Sequence, residues 1–124
     1  MNENNLNQVH AYIDSKKDEI VQELITLASI KSVSDETSDI KPFGQGCIDV
    51  LECMLDKGKK AGFKTRNYEN YVGCIELDNE SSDSIGLWAH LDVVPEGEDW
   101  LTPPYTPTIK DGFLFGRGVG DNKS

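Results

Sequence analysis

The chain has 124 residues, a formal net charge of −10 and three cysteines, enough for one domain at most. The acidic balance argues against nucleic acid, which needs clustered Lys and Arg. No apolar run is long enough to span a bilayer, and Met1 to Ile20 lacks the apolar core of a secretory signal, so the expected location is the cytoplasm, with no membrane partner.

From Asn5 to about Ile30, Leu6, Val9, Ile13, Ile20, Leu24 and Leu27 recur at steps of three, four and seven. That spacing predicts a helix with one apolar face, suited to docking on a sheet. His10 falls on this helix without a matching ligand nearby and is expected at the surface. Ser32 to Ser38 reads as a polar loop. A second helix is expected from about Gly44 to Ala61, with Ile48, Leu51, Met54, Leu55 and Ala61 inward and Gly62 as its C-terminal cap. Phe63 to Tyr68 and Tyr71 to Leu77 read as strands joined near Glu69 and Asn70, and Asp78 to Asp83 as a turn. Cys47, Cys53 and Cys74 are odd in number and lack Cys-x-x-Cys spacing, which predicts buried or half-buried free thiols rather than a disulfide set or thiolate zinc site.

Ile85, Leu87, Ala89 and Leu91 then alternate with Gly86, Trp88, His90 and Asp92, apolar on both faces until the last two positions. An interior strand has this pattern. Residues i and i+2 of a strand share a face, so His90 and Asp92 would project together from its carboxyl end, where open α/β sheets hold ligands. Pro95 ends the strand. A carboxylate beside a metal-binding imidazole fixes its tautomer and raises its basicity, although a bare His-x-Asp far more often marks an ordinary strand end, with a hydrogen-bonded His and an Asp capping a turn.

Glu96 to Pro107 has no helical period and is stiffened by Pro103, Pro104 and Pro107. It could shape access to a site, but aromatic burial is the commoner use of Trp100 and Tyr105, and packing onto the domain is expected. Lys110-Asp111-Gly112 between Thr108-Ile109 and Phe113-Leu114-Phe115 predicts a hairpin. Gly116, Gly118 and Gly120 loosen the backbone before Asp121. A carboxylate in such a bend is suited to bridging two cations.

Taken together, His90-Leu-Asp92-Val-Val-Pro95, Trp100-x-x-Pro103-Pro-Tyr105-x-Pro107, Lys110-Asp-Gly112 and Gly116-Arg-Gly118-x-x-Asp121-Asn-Lys123 resemble the dinuclear zinc peptidases that include aminoacylase, carboxypeptidase G, acetylornithine deacetylase and the bacterial dipeptidases. Ser32-Val-Ser34, Pro42-Phe43-Gly44 and Asn70-Tyr71 extend the likeness over most of the chain. It is nearest to the broad-specificity, carnosinase-like dipeptidase V branch. Ser124 departs from the Gly usual in its place.

The resemblance implies an α/β fold with helices packed on a mixed β-sheet, residues 1–124 being the N-terminal portion of the zinc-exopeptidase catalytic domain, without the lid domain. It implies that His90 binds zinc, that Asp92 orients His90 as the catalytic carboxylate, and that Asp121 bridges two Zn2+ ions, with Mn2+ or Co2+ as alternatives. It also implies a cis peptide between Asp121 and Asn122. The implied activity is hydrolysis of dipeptides or short peptides by metal-activated water, with a small peptide as partner. A deacylase acting on N-acyl amino acids and a non-catalytic metal-binding module remain the alternatives. Catalytic zinc takes three protein ligands, and the family's general base and remaining ligands come from later sequence. These 124 residues alone are therefore expected to be inactive.

Overall fold

The computed structural model describes residues 3–78 and 83–124. Helix α1 spans Glu3–Ala28 and α2 spans Gln45–Lys60, and the β-structure consists of two antiparallel pairs, β1 (Lys64–Tyr68) with β2 (Val72–Glu76) and β3 (Thr108–Lys110) with β4 (Phe113–Phe115). The expected α/β character is present. Among the described residues its sheets are two separate hairpins, and Val33 and Val93 form an isolated parallel bridge outside both.

The core lies where the end of α1, α2 and residue 93 meet: Leu27, Ala28, Cys47, Val50 and Val93 are buried, and so is Ser32. Among the residues expected inward on α2, Ile48, Leu51, Met54 and Leu55 are half-buried and Ala61 is exposed. The helix stops as its composition directs. Gly62 has φ of +89°, its N–H donates to the Lys59 carbonyl, and that of Phe63 donates to Gly58. This pair of bonds satisfies carbonyls that the helix end leaves open. Lys57, Lys59 and Lys60 in the last turn suit the negative end of the helix dipole.

The β1–β2 hairpin packs on α2. Contact is close enough that a Cβ at Gly73 would meet Leu51 Cδ1 at 2.7 Å and one at Gly58 would meet Ile75 at 2.9 Å. Glu69 and Asn70, in the three-residue connection between β1 and β2, both have positive φ, as the central residues of a type I′ turn require, and the Asn67 side chain accepts the Asn70 N–H at 2.8 Å. The β3–β4 turn repeats the device with Asp111 and Gly112. His10 is exposed, and the three cysteines are free, Cys47 buried and the others half-buried.

Two expectations need correction. The apolar stripe of α1 does not dock on a sheet: Leu6, Val9, Tyr12, Ile13 and Ile20 are exposed, and only the last turn is buried, against α2. Residues 83–92 form no ladder with any described residue, and Ile85, Leu87 and Trp88 are 94%, 95% and 89% exposed. An interior strand needs neighbours at both edges and layers on both faces, and the described residues supply neither. The turn expected at 78–83 falls mainly on residues 79–82, outside the described residues.

Candidate metal and catalytic site

His90 and Asp92 are set by the segment that follows the exposed stretch. The Val93 N–H donates to the Ser32 carbonyl at 3.0 Å, and the Ser32 hydroxyl donates to the Leu91 carbonyl at 2.7 Å. These two bonds hold the backbone on both sides of Asp92. Cys47 reinforces the same corner, its Sγ donating to the Ser32 carbonyl at 3.6 Å.

The His90 ring is aimed at two carboxylates. Its Nδ1 lies 3.2 Å from Asp92 Oδ1 and 3.1 Å from the Asp92 carbonyl oxygen, while Nε2 lies 3.1 Å from Asp121 Oδ1. Partial burial pulls the imidazole toward its neutral form. The hydrogen bonds to Asp121 and to the Asp92 carbonyl, with the two carboxylate charges, outweigh that pull and leave its pKa raised. The His90 and Asp92 side chains are about half exposed and Asp121 is almost fully so. All three are reachable from solvent.

Asp121 sits in a loop built by glycines and closed by Lys123. Gly118 has φ of +83°, and a Cβ there would meet Val93 Cγ1 at 2.9 Å. The Lys123 N–H donates to the Gly118 carbonyl at 3.1 Å, and its ammonium donates to the carbonyls of Leu27 and Ile30 at 3.0 and 2.8 Å. Burial pulls the Lys123 pKa down to about 8. The Asp121–Asn122 peptide is cis, as the family likeness implies.

The loop from Glu96 to Pro107 packs rather than projects. Trp100 Nε1 donates to the Glu96 carbonyl at 2.6 Å, and the Arg117 guanidinium lies 5.1 Å from the Trp100 ring and donates to the same carbonyl at 3.1 Å. The Glu96 carboxylate accepts from Lys31 at 2.6 Å and from the Tyr105 hydroxyl at 3.0 Å. Chiefly through the Lys31 bond, Glu96 is held down at about 2, while burial and then the Glu96 bond push Tyr105 up to about 12.

An imidazole nitrogen and a carboxylate oxygen 3.1 Å apart fit neighbouring ligands of one ion with bonds of about 2.0–2.2 Å. The donor types are ones that zinc accepts, and Asp92 stands 3.2 Å from the far ring nitrogen. Among the described residues no group of three or more His, Cys, Asp or Glu is placed to hold a metal, so the set is partial. Reading the sequence brought forward His90, Asp92 and Asp121, which the fold gathers; it assigned no part to Ser32, Lys123, Arg117 or Glu96. Their common signal is polarity without an obvious surface role, in a serine just past a helix end or a lysine after a glycine-rich bend. The groove between α1 and α2, about 780 Å3 in volume, is lined by Leu24, Leu27, Met54 and Lys123 and does not include His90.

Comparison with known proteins places these residues in a family context. Residues 86–124 match the pattern of Peptidase family M20/M25/M40. The chain is 38% identical over 110 residues to "Putative dipeptidase YtjP" of Bacillus subtilis (strain 168), covering 87% of this chain and 24% of that protein. It is 34% identical over 113 residues to "Beta-Ala-Xaa dipeptidase" of Lactobacillus delbrueckii subsp. lactis, covering 89% and 24%. The fold is similar to that of human carnosine dipeptidase 1, with a TM-score of 0.76 and 29% identity over 95% of this chain and 28% of that one. The chain thus spans about a quarter of the length of these relatives.

Proposed function

We propose, for a chain that belongs to peptidase family M20/M25/M40 as a dipeptidase-like member, that it contributes the first part of a zinc-dependent catalytic domain that hydrolyses dipeptides or short peptides. His90 and Asp121 would hold the metal, and Asp92 would orient His90. Among the described residues no third His, Cys, Asp or Glu joins His90 and Asp121 to complete a metal site. The reading places the protein in the cytoplasm, acting on small peptides.

The observation that supports this most directly is the double approach to one imidazole. Asp92 accepts from Nδ1–H, which leaves the Nε2 lone pair free for a metal on the side where Asp121 stands. A neutral imidazole is the ligand form, so metal binding must displace the second proton that the two carboxylates favour. Zinc in such a pair polarises a scissile carbonyl and lowers the pKa of water toward neutrality. This chain's own part is orientation: Asp92 keeps the ring in one tautomer and one plane, and Asp121 brings negative charge to offset that of the cations.

The test is dipeptide hydrolysis by the protein expressed from its continuous reading frame, with zinc and with chelator. Zinc-dependent cleavage that chelator removes and His90→Ala abolishes is the expected result. Cleavage that survives chelator, or a protein that neither binds zinc nor cleaves dipeptides, overturns the reading.

A further inference from the structure

Both halves of the site are tied to one corner of the fold, residues 27–32 at the end of α1. Ser32 is completely buried. Its hydroxyl donates to the Leu91 carbonyl and its own carbonyl accepts from Val93, so its two bonds bracket Asp92. Lys123 reaches the same corner from the other loop. Its backbone N–H closes the turn that carries Asp121, and its ammonium donates to the Leu27 and Ile30 carbonyls at 3.0 and 2.8 Å. The Leu27 carbonyl, which also accepts the Ile30 N–H at 3.2 Å, and the Ile30 carbonyl just past α1 stand at the negative end of the helix dipole, so a cation is well placed there.

A lysine only 6% exposed is an expensive way to cap a helix, and a surface residue could do that alone. Lys123 does more, because its two bonds connect α1 to a loop 93 or more residues away. Between the two loops, Gly118 lies so near Val93 that a Cβ would stand 2.9 Å from Val93 Cγ1. The geometry assigns Ser32 and Lys123 as positioning residues, which set the distance between the His90–Asp92 pair and Asp121 by fastening both to the end of α1. Neither touches the reacting groups. The assignment rests on the metal-site reading only for what that distance serves.

Two readouts on the labelled chain separate the assignment from that reading. One is the nuclear Overhauser contact between the His90 ring and the Asp121 methylene without metal; the other is Zn2+ titration followed at His90. Lys123→Met and Ser32→Ala are each expected to stay helical by circular dichroism, to lose or weaken the contact, and to bind Zn2+ about 10–100-fold more weakly. Lys123→Arg, which keeps a cation at the helix end, is expected to restore much of both. A role confined to helix capping would lower the melting temperature while contact and affinity stay at wild-type values, and that result overturns the assignment. If the wild-type chain shows no Zn2+ response at His90, the metal reading fails and the Overhauser contact alone decides. If Lys123→Met does not fold, Ser32→Ala decides, and an unchanged contact there overturns the assignment.

Discussion

His90 Nε2 stands 3.1 Å from Asp121 Oδ1 across 31 residues of sequence, and the same ring turns its Nδ1 to Asp92. One imidazole thus meets two carboxylates that compete for its protons. A metal ion would take the place of the proton shared with Asp121 and leave the bond to Asp92 in use.

Asp92→Asn should therefore spare the fold and damage the site. An amide cannot hold the ring's N–H as a carboxylate does, and loss of such an outer partner costs about 10–100-fold in metal affinity or activity. Zinc titration of the chain and dipeptide hydrolysis by the protein from its continuous reading frame measure the two effects. Wild-type affinity and rate in a folded Asp92→Asn variant would remove the orienting role.

The Glu96 cluster should make stability depend on acid. Its folded pKa of about 2 lies below the ordinary 4.5, mainly through the Lys31 bond. A carboxylate with a depressed folded pKa contributes stability that is fully present above pH 4.5 and lost as pH falls toward 2. Melting curves of wild type and Glu96→Gln should differ at pH 6 and converge near pH 2. A constant gap across that range would sink the assignment.

Gly46→Ala should destabilise the chain, although alanine favours a helix interior by about 1 kcal/mol over glycine. Gly46 is the second residue of α2, and a Cβ there would fall on the Lys31 carbonyl oxygen and within 3.3 Å of Ser32 Cα. Overpacking of this kind costs about 1–3 kcal/mol. Because it pushes on the segment that holds Leu91 and Val93, weaker zinc binding should accompany the loss. Denaturant unfolding of the variant measures the first effect, and a gain in stability would refute the contact.

Exposed Ile85, Leu87 and Trp88 should make the 124-residue chain self-associate. Contiguous apolar surface of this kind seeks a partner, and a segment in no ladder with any described residue offers backbone groups as well. Sedimentation at rising concentration should reveal the association, and Leu87→Lys should reduce it. A wild-type chain that stays monomeric at high concentration contradicts the expectation.

Local signals on the sequence specified much of this protein. Two helices, two hairpins with their turn residues, the Gly62 cap and the trio His90, Asp92 and Asp121 were all legible, because periodicity, positive-φ positions and short motifs are properties of neighbouring residues. The family motifs also carried the Asp121–Asn122 cis peptide. Other features depended on residues far apart in the chain. The same apolar alternation describes a strand whether or not other strands flank it, so residues 85–91 read as interior although they are exposed here. Likewise the stripe on α1 predicts a partner without saying where one lies. Ser32 and Lys123 gain their meaning only from tertiary structure: their partners, Leu91 and the carbonyls of Leu27 and Ile30, lie 59 to 96 residues away, and backbone carbonyls leave no mark in the sequence.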